Sequence, residues 1–210
     1  MLADDGFDIA HAFDTAAIAA LAPALTAKRH GVIVGNTRAL WPRFIGAYHG
    51  DPELATAPDP LDRYTERAIA RAYPDAPAWF SHRRYDGAFL PFQKIAAAAG
   101  LGVLEPTQLV IHPIYGPWFA LRAIVLVEGA PPPRVLPTVS CCTSDCVARL
   151  DAAIASDGDW RAWLAVRDAC NVGREHRYSD QQIAYHYTKD RSLLSVRDLE
   201  TGVPRRFDRD

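Results

Sequence analysis

Four cysteines are the first residues of this sequence that could do chemistry. Cys141, Cys142 and Cys146 stand together in SCCTSDC, and Cys170 follows later in the chain. A structural zinc site needs closely paired cysteines, and a ferredoxin cluster needs three close cysteines and a fourth before a proline. Neither spacing occurs here. On a helix, Cys142 and Cys146 would share one face, so a metal or redox role stays open, although plain reduced thiols are the favoured interpretation.

His112 carries the strongest functional signal among the histidines. It ends an apolar segment, precedes Pro113 and adjoins a turn rich in Tyr, Gly, Pro and Trp. Loops at strand ends often carry sites, but a hydrogen-bonded histidine at a strand terminus is an equally good interpretation. The sequence has no HxxxH or HExxH pair, so a histidine-based metal site is not predicted, and GxSxG, Walker and GxGxxG motifs do not occur.

Arginines form the third candidate set. Guanidinium groups bind carboxylates in bidentate pairs, so two or three of them could converge on an anionic ligand. The alternative for any one of them is a solvated surface position, and composition does not decide between the two. Six arginines lie between residues 149 and 191: Arg149, Arg161, Arg167, Arg174, Arg177 and Arg191.

Composition narrows the classes of function. The chain has 210 residues, with 23 Lys and Arg against 25 Asp and Glu, which gives a net charge of −2. A nucleic-acid binder would show a basic excess, so no nucleic-acid partner is predicted. The longest uncharged run, residues 106–121, is shorter than the roughly 20 apolar residues of a membrane-spanning helix. We therefore expect a cytoplasmic protein without membrane contact, whose cysteines are reduced.

Local patterns predict the elements of the first half of the chain. The Ala-rich residues 14–29 predict a helix that Pro23 kinks or splits. Residues 31–37 (GVIVGNT) predict a short buried strand. Residues 59–75 predict a charged amphipathic helix bounded by two prolines, and residues 92–100 (FQKIAAAAG) predict a helix that ends at its glycine.

The second half begins with two apolar runs, 109–111 and 118–127, on either side of HPIYGP. They predict two strands joined by a turn, of which the second lies centrally in a sheet. A Pro-rich connection covers 130–140. Three helices are predicted after it: at about 144–155, behind Asp159 as N-cap, and from Ser179, which forms a capping box with Gln182. Strands flanked by helices predict one α+β domain over residues 1–210.

Several of these segments together resemble a known family. IHPIYGPWFALRAIVLVEG, followed by WRAWLAVRDACNVGREHRYSDQQIAYHY, is similar to the MMACHC-type cobalamin-processing proteins, the cyanocobalamin reductases and alkylcobalamin dealkylases. The family's IHP-x-[FY]-G-x-WFA strand pair, its WR-x-W segment and its RYS-x-x-Q-x-AY segment occur here in order. The resemblance runs from about Phe92 to Arg191. KIAAAAGLG and LVIHPIYGPW also resemble segments of the epoxyqueuosine reductases. The SCCTSDC segment of this chain does not complete the cluster motif of those enzymes.

The resemblance implies a flavin-nitroreductase-like α+β fold, an antiparallel sheet flanked by helices, that holds base-off cobalamin. Such a ligand needs a wide cavity with aromatic walls and hydrogen-bonding groups for the corrin amides. The ring of Trp118 should lie either in the core or against the corrin, and Gly116 should let the backbone approach the ligand. By position, the implied cobalamin contacts are Glu105, Pro106, Thr107, Gln108, His112, Tyr115, Trp118, Phe119, Ala120 and Leu121.

The resemblance also implies co-substrates and catalytic residues. Family members use reduced glutathione to remove alkyl groups, or a reduced flavin such as FMN to remove cyanide. The positions that match the family's glutathione-binding arginines are Arg149, Arg177 and Arg191. The implied activity is removal of the upper axial ligand of cobalamin, by a monomer or a ligand-induced homodimer. A cobalamin carrier without turnover and a metal-containing reductase of the queuosine type are the alternatives.

Overall fold

The computed structural model describes residues 2–139 and 141–195. Within these ranges the strands are β1 (Ile9–Asp14), β2 (His30–Asn36), β3 (Ala78–Phe80), β4 (Arg84–Tyr85), β5 (Ala88–Phe89), β6 (Val103–Leu104), β7 (Val110–Ile111) and β8 (Ala120–Val127). The main sheet has four antiparallel strands in the order β1-β2-β8-β3, and β4-β5 and β6-β7 form two small antiparallel pairs.

Helices cover the sheet and extend beyond it. They are α1 (Leu40–Gly50), α2 (Pro52–Thr56), α3 (Pro60–Ala72), α4 (Phe92–Ala99), α5 (Ser144–Ile154), α6 (Trp160–Ala169) and α7 (Asp180–Thr188). Short 3-10 turns occupy Ala3–Asp5, Thr15–Ile18, Pro23–Thr26, Arg174–His176 and Arg191–Leu194. Mixed helices and an antiparallel sheet confirm the predicted α+β class.

The central strands β2 and β8 are buried on both faces because neighbouring residues point to opposite sides. Val34 and Val125 pack with α1 and α3 in one apolar cluster. Ile33 and Ile124 pack with α4 and with Phe119 in a second cluster on the other face. This two-sided burial explains the near-continuous apolar sequence of β8 and confirms its predicted central position.

Most helix predictions are confirmed together with their end signals. Asp159 caps α6 by accepting a hydrogen bond from the amide of Arg161, and Ser179 caps α7 by accepting one from Gln182. Gly100 ends α4 in the left-handed conformation at φ 88°, with its amide bonded to carbonyls of the last turn. The helices predicted at 59–75 and 144–155 are α3 and α5, and the strand predicted at 31–37 is β2.

The helix predicted over residues 14–29 is wrong. The edge strand β1 ends at Asp14, and two 3-10 turns follow instead of a helix. Asp14 accepts a hydrogen bond from the amide of Ala16, and Pro23 begins the second turn because it has no amide hydrogen to continue a helix. Ile18 and Leu25 are fully buried beneath the sheet, so tertiary packing fixes this irregular segment.

The two strands around HPIYGP do not pair with each other. The first, β7, has two residues and pairs with β6, whereas β8 pairs with β2 and β3. Only His112 and Gly116 bridge the turn, through two amide–carbonyl hydrogen bonds of 2.9 Å. Pro113 and Pro117 lack amide hydrogens, which explains why no longer ladder forms here.

The expectation that all cysteines are reduced is wrong. Cys141 and Cys170 form a disulfide that joins the segment before α5 to the end of α6. Cys142 and Cys146 are free, but only Cys146 lies on α5, so the two thiols do not share a helix face. Within the described ranges, no group of three or more His, Cys, Asp or Glu side chains is arranged to hold a metal ion. In the same ranges, no helix has the length and apolar character to span a bilayer.

The predicted Pro-rich connection is confirmed for 130–139, which form no helix or strand, and residue 140 lies outside the described residues. The prediction of one domain over 1–210 stays a prediction.

Candidate functional site

His112 organises the turn that follows β7. Its Nδ1 accepts hydrogen bonds from the amides of Ile114 and Tyr115, at 3.1 and 3.2 Å. Its ring stacks on Tyr115 with centroids 4.6 Å apart, and it meets the edge of Phe119 at 6.0 Å. The histidine is therefore both a structural cap of the turn and one wall of an aromatic cluster.

The hydrogen bonds to His112 determine its proton position. Because Nδ1 accepts, a neutral ring carries its proton on Nε2. Burial, followed by the charges of the neighbouring His11 and His176, lowers the pKa of His112 to about 4. The ring is thus neutral at pH 7, and its Nε2–H is a donor suited to a ligand oxygen.

A second turn lies at the tip of the β6–β7 hairpin. Residues 105–108 form it, closed by a 2.8 Å hydrogen bond from the amide of Gln108 to the carbonyl of Glu105. Gln108 has a left-handed backbone with φ 62°, and it is exposed together with Pro106. Thr107 is buried and lies 3.8 Å from the sulfur of Cys142. The hairpin therefore holds the four predicted contacts 105–108 at one edge, with His112 beyond its other end.

The third group of predicted contacts lies at the start of β8. We use the name strip for the three groups taken together: residues 105–108, His112 with Tyr115, and residues 119–121. Phe119 is buried, whereas Ala120 and Leu121 are half-buried. Phe119 and Leu121 pack in the same apolar cluster as Leu104 and Tyr115. One apolar cluster thus joins Leu104 of the hairpin, Tyr115 of the turn and the first residues of β8, whereas residues 105–108 lie at the tip of the hairpin.

Trp118 has its ring in the core rather than beside this strip. Its side chain is only 1% exposed and lies edge-on to Tyr178, with ring centroids 5.9 Å apart. The guanidinium carbons of Arg167 and Arg177 lie 4.7 and 5.5 Å from the centre of the Trp118 ring. Of the two predicted positions for this ring, the structure has the core position.

Gly116 approaches another segment of the chain, which differs from the predicted approach to a ligand. A Cβ atom on Gly116 would lie 1.9 Å from the carbonyl oxygen of Val172, and one on Gly173 would lie 2.3 Å from Tyr115. Both glycines have positive φ, at 55° and 68°. Their missing side chains let the turn pack directly against the loop after α6.

The three predicted catalytic arginines contact different partners. Arg149 is exposed on α5 and pairs with Asp145 at 3.0 Å. Arg177 pairs with Asp168 at 2.8 Å and Asp180 at 2.9 Å, which raises the pKa of its guanidinium. Arg191 donates hydrogen bonds to the carbonyls of Ala55, Ala57 and Pro58 at the end of α2. Of the three, only Arg177 contacts a predicted site residue, through the ring of Trp118.

Two arginines are buried: Arg122, which the sequence analysis did not single out, and Arg167, which was one of its six candidate arginines. Arg122 lies on β8, and Arg167 lies on α6 and donates a 2.6 Å hydrogen bond to the carbonyl of Pro117. A signal for Arg122 exists in the sequence, because it is the one charged residue inside the apolar strand ALRAIVLV. Arg167 has no such local signal, since it sits in a helix with several other charged residues.

Two surface cavities lie away from these residues. One of about 330 Å³ is lined by charged side chains of α1 to α3 and the first residues of the chain. The other, of about 530 Å³, is lined by Asp14, Arg29 and the segment 130–134. Neither includes a predicted site residue.

Part of the chain is similar in sequence to curated proteins. It is 36% identical over 99 residues to the cyanocobalamin reductase / alkylcobalamin dealkylase of Bos taurus, a match that covers 45% of this chain and 33% of that protein. It is 38% identical over 90 residues to the human protein of the same name, covering 41% and 30%. The chain thus spans about a third of the length of the curated relatives it matches. No protein-family model matches it.

The described fold is similar to that of a solved structure. The crystal structure of the C. elegans B12-trafficking protein CblC, a homologue of human MMACHC, superposes with a TM-score of 0.58 at 15% identity. The match covers 95% of this chain and 93% of that chain, and at this identity the likeness concerns the fold alone. Sequence and fold together confirm the resemblance to the MMACHC-like family that the motifs predicted.

Proposed function

Because this chain resembles the MMACHC-like cobalamin-processing family in sequence and fold, we propose that it binds cobalamin and removes its upper axial ligand. The ligand would be held base-off by a nitroreductase-like sheet. The strip formed by 105–108, His112, Tyr115 and 119–121 is the binding surface. The packing of the His112 turn against Phe119 at the start of β8 is the observation that supports the proposal.

The chemistry of the strip suits the edge of a corrin ring. A corrin presents amide side chains around an apolar macrocycle, so it needs donors, acceptors and aromatic surface. The Nε2–H of His112 donates to an amide oxygen, and the turn at 105–108, which is exposed at Pro106 and Gln108, offers backbone groups. Tyr115 and Phe119 supply the aromatic surface.

The proposed reaction transfers the upper ligand to a thiol. The thiolate sulfur of glutathione forms a bond to the alkyl carbon, and the electron pair of the broken cobalt–carbon bond stays on cobalt. For cyanocobalamin, a reduced flavin such as FMN supplies the electrons and cyanide leaves. The protein contributes orientation, while cobalamin carries the difficult chemistry.

Arginines orient the thiol in this proposal. Arg149 has an exposed guanidinium with one surface partner, so it is available to a carboxylate of glutathione. Arg177 is fixed beside Trp118 by two aspartates and the carbonyl of Tyr178, which leaves one N–H on Nη2 for a ligand. Arg191 is the third arginine of the proposed set, although its guanidinium already donates hydrogen bonds to carbonyls at the end of α2.

An absorption spectrum tests cobalamin binding. We expect methylcobalamin and cyanocobalamin to shift to base-off spectra on addition of the protein. His112→Ala should weaken binding about tenfold, since a hydrogen bond and aromatic contact are lost. His49→Ala, which removes an exposed histidine of α1, is the matched control. Absence of binding to either cobalamin contradicts the proposal.

Dealkylation against glutathione concentration tests the arginines. A charge-assisted contact to a carboxylate is worth about 1.5–3 kcal/mol, so Arg149→Gln and Arg177→Gln should each weaken glutathione use about 10- to 150-fold. Lys at either position should not restore it fully, because an ammonium lacks the planar fork. Flavin-driven decyanation should change much less. Arg161→Gln is the control, and equal glutathione dependence in all proteins would refute the assignment.

A carrier without turnover is the second candidate, since the nematode protein of similar fold is described as a B12-trafficking protein. Base-off binding with no dealkylated or decyanated product would favour the carrier. The queuosine-type alternative gains no support, because Cys141 and Cys170 are bonded to each other. Iron and sulfide analysis tests it directly.

A further inference from the structure

The cysteine segment SCCTSDC has no part in the proposed function, yet the fold brings all four cysteines of the chain into one region. Cys141 is bonded to Cys170, and the thiol of Cys146 donates a hydrogen bond of 3.9 Å to the carbonyl of Cys141. Cys142 follows Cys141 directly in the chain. A disulfide therefore has two free thiols close to it, which is the arrangement that thiol–disulfide exchange requires.

The two free thiols have different surroundings. The sulfur of Cys146 lies beside Cys141 and also accepts a hydrogen bond of 3.7 Å from the hydroxyl of Thr143. The sulfur of Cys142 lies 3.8 Å from the hydroxyl of Thr107 instead. Burial raises the pKa of the Cys142 thiol, so less of it is thiolate, the nucleophilic form, than in an ordinary cysteine. Cys146 is therefore the free thiol positioned to attack Cys141.

The disulfide lies outside the two main apolar clusters. Its two cysteines are 5% and 3% exposed, so a thiol on another protein would not reach them. They pack with Ile111 in a small cluster whose other members are only partly buried: Leu109, Val139 and Val172. Few apolar contacts must be broken to open such a cluster locally. A small thiol can therefore reach the sulfur–sulfur bond.

The backbone holds the two halves of the disulfide differently. Cys170 ends α6, where its amide donates to the carbonyl of Arg167 and its carbonyl accepts a hydrogen bond from Arg174. Cys141 lies before α5, outside any helix or strand, and its amide donates to the carboxylate of Glu105 at 3.3 Å. Cys141 is therefore the half that can move from one sulfur partner to another.

We propose that Cys141 is the exchanging cysteine of a redox site for low-molecular-weight thiols, with Cys170 and Cys146 as its alternative partners. The thiolate RS⁻ bonds to the sulfur of Cys141, and Cys170 leaves as a thiolate that takes up a proton. Cys146 then loses its proton and bonds to Cys141, and RS⁻ leaves. These two steps change the partner of Cys141 without net oxidation or reduction. Two further RSH molecules reduce the new disulfide to two thiols and are oxidised to RSSR.

The redox site adjoins the proposed binding strip. Cys141 is bonded to Glu105 of the strip, and Ile111, which packs with the disulfide, directly precedes His112. A thiol that enters as co-substrate of the proposed reaction would therefore pass close to the disulfide. The exchange itself needs no cobalamin and goes beyond the proposed function.

Glutathione buffers test the exchange on the whole protein without cobalamin. The ratio of reduced to oxidised glutathione is varied without oxygen, free thiols are alkylated after an acid quench, and peptide mapping identifies the bonded pairs. We expect the Cys141–Cys170 bond to be lost as the share of reduced glutathione rises. A Cys141–Cys146 bond should appear at intermediate ratios. A purely structural disulfide would resist reduction by glutathione.

Two variants test the role of Cys146. In Cys146→Ser, the mixed disulfide between Cys141 and glutathione should accumulate about tenfold above the wild-type level, because a thiol in the same molecule has a high effective concentration. Cys142→Ser is the matched control, since it removes the neighbouring free thiol that lies beside Thr107. It should behave as the wild type does.

Three results overturn the proposal. The first is a Cys141–Cys170 bond that persists when all glutathione is reduced, and the second is an equal level of mixed disulfide in the two variants. The third is the absence of a Cys141–Cys146 bond from wild-type protein at every ratio, a result that does not depend on whether Cys146→Ser folds. None of the three bears on cobalamin binding. Failure to bind cobalamin would likewise leave the exchange site intact.

Discussion

Trp118 illustrates how a single residue can mislead when it lies beside a site. Its sequence neighbours belong to the proposed cobalamin-binding strip, but its ring packs between two arginines and against Tyr178. Truncating a buried Trp removes apolar contacts and leaves a cavity, so Trp118→Ala should lower the free energy of unfolding by about 3–5 kcal/mol. Urea denaturation measures this change.

Trp163 provides the control for that prediction, since it lies on α6 and is 38% exposed. Trp163→Ala should change the free energy of unfolding by about 0.5–1 kcal/mol, as expected of a partly exposed side chain. The folded fraction of Trp118→Ala should still bind cobalamin. A large loss of cobalamin affinity with an unchanged melting temperature would instead assign the ring to the ligand.

At the scale of elements, the packing contact between the HPIYGP turn and the loop after α6 positions the proposed binding strip. Gly116→Ala should lower the free energy of unfolding by about 2–4 kcal/mol. About 1 kcal/mol comes from the positive φ, and the rest comes from overlap with the carbonyl of Val172. Chemical denaturation measures the total change in the free energy of unfolding.

Gly87 separates the two contributions. It also has a positive φ, at 82°, but a Cβ atom there would meet no atom within 4 Å. Gly87→Ala should therefore cost only about 1 kcal/mol. Equal losses of unfolding free energy in Gly116→Ala and Gly87→Ala would mean that the turn does not pack closely against the loop.

At the scale of the whole molecule, two histidines make stability depend on pH. The pKa of His112 is lowered to about 4 and that of His186 to about 3, from 6.5, mainly by burial. Below pH 6.5 the unfolded chain binds protons that the folded chain does not. The stabilisation is therefore complete above pH 6.5, and it is lost as the pH falls towards 4 for His112 and towards 3 for His186.

Denaturation between pH 4 and 8 tests this dependence. His112→Gln and His186→Gln should each flatten the loss of stability below pH 6.5, because the titrating group is gone. His49→Gln, at an exposed position on α1, should keep the wild-type slope. An unchanged slope in both buried-site variants would contradict the lowered pKa values.

The sequence by itself determined the elements that depend on local signals. The amphipathic pattern of α3, the cap at Asp159, the glycine after α4 and the apolar run of β8 each act within a few residues. Such signals can be read along the chain because their causes are neighbouring side chains and backbone groups. The segment motifs also predicted the resemblance that the comparisons confirm.

Only the tertiary structure decided how these elements meet. It gave β7 a different partner from β8, linked Cys141 to Cys170, and placed Trp118 in the core. It also paired Arg149 and Arg177 with surface carboxylates, and it buried Arg122 and Arg167, which have no ion pair with a carboxylate among the described residues. These outcomes depend on contacts between residues far apart in the chain, and no local pattern in a single sequence encodes which distant group a buried side chain will meet.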